Sequence, residues 1–219
     1  MMHICRNVAL LSALIAGFTA GPAWGQRYPE RPIRFIVPFA PGGATDIVAR
    51  GLGQKWGEAF GQQVVIDNRA GAGQILGTEL GARAAPDGYT VLLISITHSI
   101  NPALVAKLPY DSLRDFTPVS LVALSPQIFV AHPGVAAKNV PEFIALAKAK
   151  NGQLNYASSG NGSGGHLASE LFKFMSGAPM AHIPYKGAAP ALVDVVAGQA
   201  QVMFTSPLAA LPQVKAGRL

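Results

Sequence analysis

Apolar and polar positions along the chain change period repeatedly. Ile33–Phe39 is a near-continuous apolar run bounded by prolines and glycines, which predicts a buried strand. Asp46–Phe60 follows with Val48, Leu52, Trp56 and Ala59 on one face of a predicted helix that begins near Thr45. A short strand at Val64–Asn68, a Gly71-Ala72-Gly73 break and a helix through Ile75, Leu76 and Leu80 come next. Pro86-Asp87-Gly88 is a turn, and Tyr89–Ser95 is another apolar run typical of a buried parallel strand. Leu121–Ala131 also reads as a strand. In the second half, Asn139 and Pro141 open a helix that ends at Asn151-Gly152, with favourable chemistry at both ends. Leu154–Ser158, Ala181–Tyr185 and Val202–Thr205 are strands, separated by a helix from about His166 and one through Leu192, Val195 and Val196. Strands alternating with helices predict an α/β fold built on parallel sheets covered on both faces. No repeat of 20–50 residues and no low-complexity tract is visible.

Composition narrows the class. Half of the 219 residues are hydrophobic and only 13% are charged, with 24 glycines and 17 prolines. That is a loop-punctuated globular chain with enough apolar material for one large core or two small ones. The net charge of +6 comes from scattered single residues such as Arg34, Arg50, Lys55 and Lys148, not from a stripe. Without a clustered patch or stacking aromatics, nucleic acid is not an expected partner. The N-terminus reads as a leader: Arg6, an apolar Val8–Phe18 and a small-x-small Ala23-Trp24-Gly25. That run is shorter than the roughly twenty residues that span a bilayer. A cleavable signal over residues 1–25, export and a soluble chain from Gln26 are expected. Cys5, the only cysteine, would leave with the leader, so neither disulfide nor thiol chemistry is expected.

The candidate chemistry lies in two loops. Phe39-Ala40-Pro41-Gly42-Gly43-Ala44-Thr45-Asp46 joins the first strand to the first helix, and Gly160-Asn161-Gly162-Ser163-Gly164-Gly165-His166 joins a later pair. A glycine-rich strand-to-helix turn leaves unpaired N–H groups at the positive end of a helix, a natural seat for an anion. In parallel sheets such turns gather beyond the carboxyl ends of the strands, where ligands bind. Two of them predict a cleft that grips a carboxylate from both sides. Gly160-x-Gly162-x-x-Gly165 also matches a dinucleotide fingerprint, but no acidic residue falls between Glu170 and Asp194, where the ribose would need one. Ser163 and His166 raise a nucleophile–base alternative, an exported hydrolase. They lack a G-x-S-x-G elbow and an orienting acid. His98, His132 and His182 lack zinc-ligand spacing, so neither metal nor cofactor is expected.

The residues around these loops resemble a known family. Tyr28-Pro29-Glu30-Arg31-Pro32-Ile33-Arg34, Pro38 to Asp46, Asp67-Asn68-Arg69-Ala70-Gly71-Ala72-Gly73 and Pro86-Asp87-Gly88-Tyr89-Thr90 look like tripartite tricarboxylate transporter substrate-binding proteins of the Bug/TctC type. So do Leu108-Pro109-Tyr110-Asp111, Leu154 to Ser158, Gly162-Ser163 with His166, and His182-Ile183-Pro184-Tyr185-Lys186-Gly187. The resemblance implies a two-domain, Venus-flytrap periplasmic binding protein with mixed, mostly parallel sheets. It also implies closure on a carboxylated metabolite, held by backbone N–H groups and small hydroxyls of both loops. A di- or tricarboxylate or a dicarboxylic amino acid is the expected ligand, and the membrane components of the transporter are the expected partners. Family members continue past Leu219 and return to the first domain. The expectation is therefore a truncated chain, with domain 1 over 26–122 incomplete and domain 2 over 123–219. A monomer is expected, and a non-binding remnant is a further alternative.

Within that frame Phe39, Ala40, Pro41, Gly42, Gly43 and Thr45 are candidate ligand contacts in the first loop, with Asp46 capping or orienting it. Ser158, Gly162, Ser163 and Gly164 are candidates in the second. His166 admits two readings, a ligand contact or a half-buried structural residue. Ser95 and His98 follow a strand and admit cleft lining or an ordinary loop exit. Tyr185 and Lys186 end another strand, Lys186 being placed to meet a distal carboxylate. Thr205, with Ser206, ends the last.

Overall fold

A computed structural model describes residues 28–219, so the expected leader, Cys5 and Gln26 lie outside the described residues. Arg31–Leu219 form one compact unit containing two sheets. The first has the order β2-β1-β3, from Ile33–Val37 (β1), Val64–Asn68 (β2) and Thr90–Leu92 (β3). All three are parallel, with Ile33 opposite Val64 and Arg34 opposite Thr90. β1 is central and covered on both faces, which is why Ile33, Phe35, Ile36 and Val37 can all be buried with no polar alternation.

Helix α1, Ala44–Phe60, follows β1 and ends on Gly61 in the left-handed conformation, whose N–H returns to Gly57 O. Its packing face differs from the expected one. Ala49, Leu52, Gly53 and Trp56 meet the sheet, Trp56 stacking on Phe35 at 5.0 Å, whereas Ala59 is exposed. A Cβ on Gly53 would stand 3.0 Å from Ile66 Cδ1, so the small residues set how closely α1 approaches β2. A 3-10 turn, Ala72–Gln74, leads into α2, Ile75–Ala82.

The second sheet has the order β4-β7-β5-β6, from Ile128–Ala131 (β4), Asn155–Ser158 (β5), Ala181–Pro184 (β6) and Val202–Thr205 (β7). β4 runs antiparallel to β7, while β5 is parallel to both β6 and β7, making the sheet mixed but mostly parallel. One face carries Val130, Ala157, Met203 and the helix α6, Ala188–Val196, through Ala191, Leu192 and Val195. The other carries Tyr156 and Val202 under α4, Val140–Lys150, with Phe143 and Ala147. Phe129 joins Phe143, Phe172 and Phe204 in an aromatic cluster there. α4 is capped as its sequence requires: Asn139 Oδ1 accepts Glu142 N–H at 3.0 Å, and the Glu142 carboxylate accepts Lys138 N–H at 2.8 Å. α5, Gly164–Ser176, follows β5, and α7, Pro207–Lys215, follows β7.

Four elements depart from the expectation. The Leu121–Ala131 strand is confined to β4, and Leu121 and Leu124 stand 74% and 85% exposed, because no described strand pairs with residues 117–127. β3, at the sheet edge, is shorter than the expected Tyr89–Ser95 and half-buried rather than buried. Two helices were not expected, and both carry an internal proline: α3, Thr97–Leu104 with Pro102, and α7 with Pro212.

Candidate functional site

The N-termini of four helices open on one cleft of about 140 Å³, which both sheets line from the carboxyl ends of their parallel strands. Gly43, Ala44 and Thr45 come from α1, Ser163, Gly164 and Gly165 from α5, Ala188 from α6, and Thr205 and Ser206 from the start of α7. Ser95, Ile96, Gln127 and Ser159 complete the polar and apolar rim, with Phe39 and Phe204 as aromatic walls. None of the lining residues carries a formal charge. An anion there would be met by N–H groups, hydroxyls and helix dipoles, each helix start worth roughly half a positive charge.

The first loop is held from behind. Gly42 takes φ 84°, and its N–H donates to Asp46 Oδ2 at 2.9 Å. Arg50 Nε donates to the same oxygen at 2.9 Å, and Asn68 Nδ2 donates to Asp46 Oδ1 at 2.9 Å and to Phe39 O at 3.1 Å. Burial of the Asp46 carboxyl opposes ionisation, but the hydrogen bonds from Arg50, Gly42 and Asn68 and the Arg50 charge outweigh it. The group therefore stays below the usual carboxylate range. Asp46 spends its oxygens on the loop itself. The N-cap, Gly43, offers no side chain to the first N–H groups of α1, which is what frees them for a ligand.

The second loop is built differently. Ser158 Oγ accepts Gly160 N–H at 3.1 Å and lies 2.7 Å from His182 Nε2. Gly162, at φ 72°, donates its N–H to His166 Nδ1 at 3.1 Å. Ser163 is the N-cap of α5, its Oγ accepting His166 N–H at 3.2 Å. Gly165 lets α5 lie directly on β7, since a Cβ there would fall 2.2 Å from Phe204 O. Ser95 Oγ donates to Gln74 Oε1 at 3.0 Å, and Gln74 Nε2 donates to Thr97 Oγ1 at 2.5 Å, so the rim residue Ser95 is fixed by a buried amide. Ser206 Oγ is buried with no partner among the described residues, an unspent hydrogen-bonding group beside the cleft.

Eight of the expected residues line the cleft: Phe39, Gly43, Thr45, Ser95, Ser163, Gly164, Thr205 and Ser206. Others stand behind it or beside it. Ala40 donates its N–H to Lys186 O at 2.9 Å, so Lys186 contributes a backbone oxygen there and its ammonium is not part of the lining. Pro41 is exposed on the outside of the loop. Gly42, Asp46, Ser158, Gly162 and His166 shape the loops from within. His98 lies away from the lining, with Nε2 at 2.9 Å from Ser112 O and its ring against Tyr110 and Phe116. Tyr185 donates its hydroxyl to Asp194, and burial together with that carboxylate pushes its phenol up to about 12. The Ser163 hydroxyl and His166 Nδ1 are engaged with backbone N–H groups rather than with each other.

Sequence reasoning missed Ile96, Gln127, Ser159, Ala188 and Phe204. Ala188 had a local signal, Gly187 opening a helix. Gln127 had none, because it enters the cleft only where the chain between the two sheets passes Gly164, 3.5 Å from the place a Cβ would occupy. Among the described residues no group of three His, Cys, Asp or Glu side chains is placed to hold a metal.

Comparison with known proteins identifies the family. Residues 48–219 match the tripartite tricarboxylate transporter family receptor. Protein BugT of Bordetella pertussis is 40% identical over 223 residues, covering 100% of this chain and 68% of BugT. Among solved structures, periplasmic binding protein BugD is 35% identical with a TM-score of 0.84, covering 87% of this chain and 64% of BugD. An R. palustris protein solved with adipate is 34% identical with a TM-score of 0.85, at 87% and 64% coverage. MatC from Rhodopseudomonas palustris, with bound malate, is 33% identical with a TM-score of 0.82, at 87% and 65% coverage. The chain thus spans about two thirds of the length of these relatives. With most of its residues matched to the family and its α/β sheets superposing on periplasmic binding proteins, the chain belongs to the tripartite tricarboxylate transporter receptors, which are solute-binding proteins and not enzymes.

Proposed function

We propose that this chain captures a small carboxylate in the cleft and presents it to the membrane components of a tripartite tricarboxylate-type transporter. The observation that carries the reading is the convergence of four helix N-termini on a small cleft whose lining holds no charged side chain. Such a cleft recognises negative charge through fixed dipoles, which need no counter-charge and release their ligand readily. One carboxylate sits between the N–H groups of Gly43–Thr45 and Gly164–Gly165, with Thr45, Ser95, Ser163 and Thr205 as hydroxyl partners. Ser206 completes that set, and Gln127 faces the distal end of the ligand. Two charge-assisted donor sets contribute roughly 1.5–3 kcal/mol each, a scale compatible with micromolar capture once apolar contact with Phe39 and Phe204 is added.

The adipate and malate seen with two relatives support a dicarboxylate of four to six carbons. The remaining features follow the same reading: export by the 1–25 leader, action in the periplasm as a monomer, and two lobes, 26–122 and 123–219, that close on the ligand. Calorimetric titration of the purified chain with malate, adipate and dicarboxylic amino acids tests the proposal. Saturable one-to-one binding that disappears in Gly43→Val is expected. A cooperatively folded chain that binds none of them would overturn it.

A further inference from the structure

The second glycine-rich loop is tied to a pair of stacked imidazoles. His166, on α5, accepts Gly162 N–H at Nδ1, and His182, on β6, reaches Gly160 through Ser158 Oγ. The two rings stack at 4.3 Å and 17°, and His182 stacks in turn on Tyr156 at 4.7 Å. Glu170 accepts from the Tyr156 hydroxyl and from Lys173, whose ammonium stands 5.5 Å from the centre of the Tyr156 ring. Tyr156 on β5, His182 on β6, and Glu170 and Lys173 on α5 are the titratable groups around His166.

The opposite side of the loop meets the elements of the first sheet. A Cβ on Gly162 would stand 3.0 Å from Leu104 Cδ1, 3.4 Å from Thr97 Cγ2 and 3.6 Å from Asn101 Oδ1, and one on Gly73 would stand 3.4 Å from Asn161 O. None of these neighbours titrates. The loop is therefore wedged between α3 and the 3-10 turn in front and the His166 ring behind.

An imidazole accepts at Nδ1 only while that nitrogen carries no proton, so the loop bond requires neutral His166 with its proton on Nε2. Protonation sets N–H against N–H at Gly162 and places a positive charge beside the stacked His182 ring. We propose that His166 is a positioning residue whose neutral ring holds the carboxylate loop against α3, so that acidification loosens the loop and releases the ligand. This rests on the assignment of the loop as a carboxylate cradle.

Burial drives both rings toward the neutral form. His166 lies below the usual histidine value, Glu170 opposing the burial effect and Lys173 adding to it. His182 is lowered to about 4 by burial and by His166. A histidine depressed in the folded state binds fewer protons than the unfolded chain below about pH 6.5, so the loop-closed form loses ground as pH falls.

The test is an amide and imidazole nitrogen NMR titration of the chain between pH 7.5 and 4.5, with binding of malate and adipate measured across the same range. The Gly162 amide is expected to shift with the same midpoint as His166 Nδ1. The affinity ratio between pH 7.5 and 5 is expected to be about tenfold or more in the parent chain. It shrinks to within about threefold in His166→Asn, whose side-chain oxygen accepts a hydrogen bond at every pH in this range. Comparison of the two proteins on the same ligand removes the ligand's own titration. His132→Asn, remote from the loop, keeps the full ratio. A Gly162 amide that ignores the His166 titration, or an unchanged pH ratio in His166→Asn, would overturn the proposal. Binding of neither acid at pH 7.5 would fail the capture function alone, because the Gly162–His166 coupling is read without ligand.

Discussion

Gly165 and Gly51 both lie within helices, yet the same substitution to alanine should move stability in opposite directions. Gly51 is exposed on α1 with nothing within 4 Å of a built Cβ, so alanine gains helix propensity of about 1 kcal/mol. A Cβ at Gly165 falls 2.2 Å from Phe204 O and 3.3 Å from Phe204 C, backbone atoms of β7 that have no rotamer in which to withdraw. An ordinary carbon–oxygen contact is about 3.3 Å, so α5 must lift from β7 by roughly 1 Å. Overpacking costs about 1–3 kcal/mol, and a clash with backbone lies in the upper part of that range, at about 2–3, so against the same propensity gain of about 1 the net loss is about 1–2 kcal/mol. For a chain of this size each kcal/mol moves Tm by roughly 2–4 °C. Thermal melts should therefore show Gly51→Ala raised by about 2–4 °C and Gly165→Ala lowered by about 2–8 °C. Lifting α5 also draws its N–H groups away from the cleft, so malate or adipate affinity should fall at least tenfold in Gly165→Ala only. Melts that shift in the same direction for both variants would refute the close packing of α5 on β7 as the source of the cleft geometry.

Removing the cap of α5 by Ser163→Ala should lower stability by about 1 kcal/mol in urea denaturation and weaken carboxylate binding about tenfold, since one hydroxyl serves both the helix and the cleft. Asp46→Asn should shallow the acid limb of stability. The Asp46 carboxyl is depressed below its ordinary 3.8, so its contribution is present above that value and lost as pH falls through the folded one. The asparagine variant should be less stable at pH 7 and change less between pH 5 and 2, as read from urea midpoints. Gly187→Val places a Cβ 3.1 Å from Ala40 N and 3.2 Å from Ala40 Cβ, against the 2.9 Å bond from Ala40 N–H to Lys186 O. Titration should show affinity reduced about tenfold or more, and an unchanged value would remove that contact from the closing of the cleft.

Local chemistry made much of this molecule readable in advance. The apolar run Ile33–Val37, broken only by Arg34, belongs in the centre of a parallel sheet because residues on both its faces need cover from water, and it lies there. Asn139, Glu142 and Asn151 bracket a helix through hydrogen bonds among near neighbours, so the sequence alone predicts its ends. Glycine-rich turns after strands disclose helix starts for the same reason. Signals that need a distant partner were misleading. Leu121 to Gln127 has the apolar character of a strand, but a strand forms only where another can pair with it. α3 and α7 carry internal prolines and were not expected, yet the packed chain adopts them.

The same division runs through the cleft. Both loops were evident from residue type and spacing, because an unpaired helix start is a local property. Whether a given side chain then faces the ligand depends on what else competes for it. His98 finds Ser112 O, Tyr185 finds Asp194 and Asp46 finds Asn68, each partner lying nine to twenty-two residues away, while Arg50 meets Asp46 from one turn further along α1. Gln127 enters for the converse reason, brought to the cleft by chain that carries no binding signature. Sequence by itself determined the alternation of strands and helices, the two anion-ready turns and the family. Tertiary structure alone decided which donors remain unspent, because a hydrogen bond between distant residues is set by packing that no local spacing encodes.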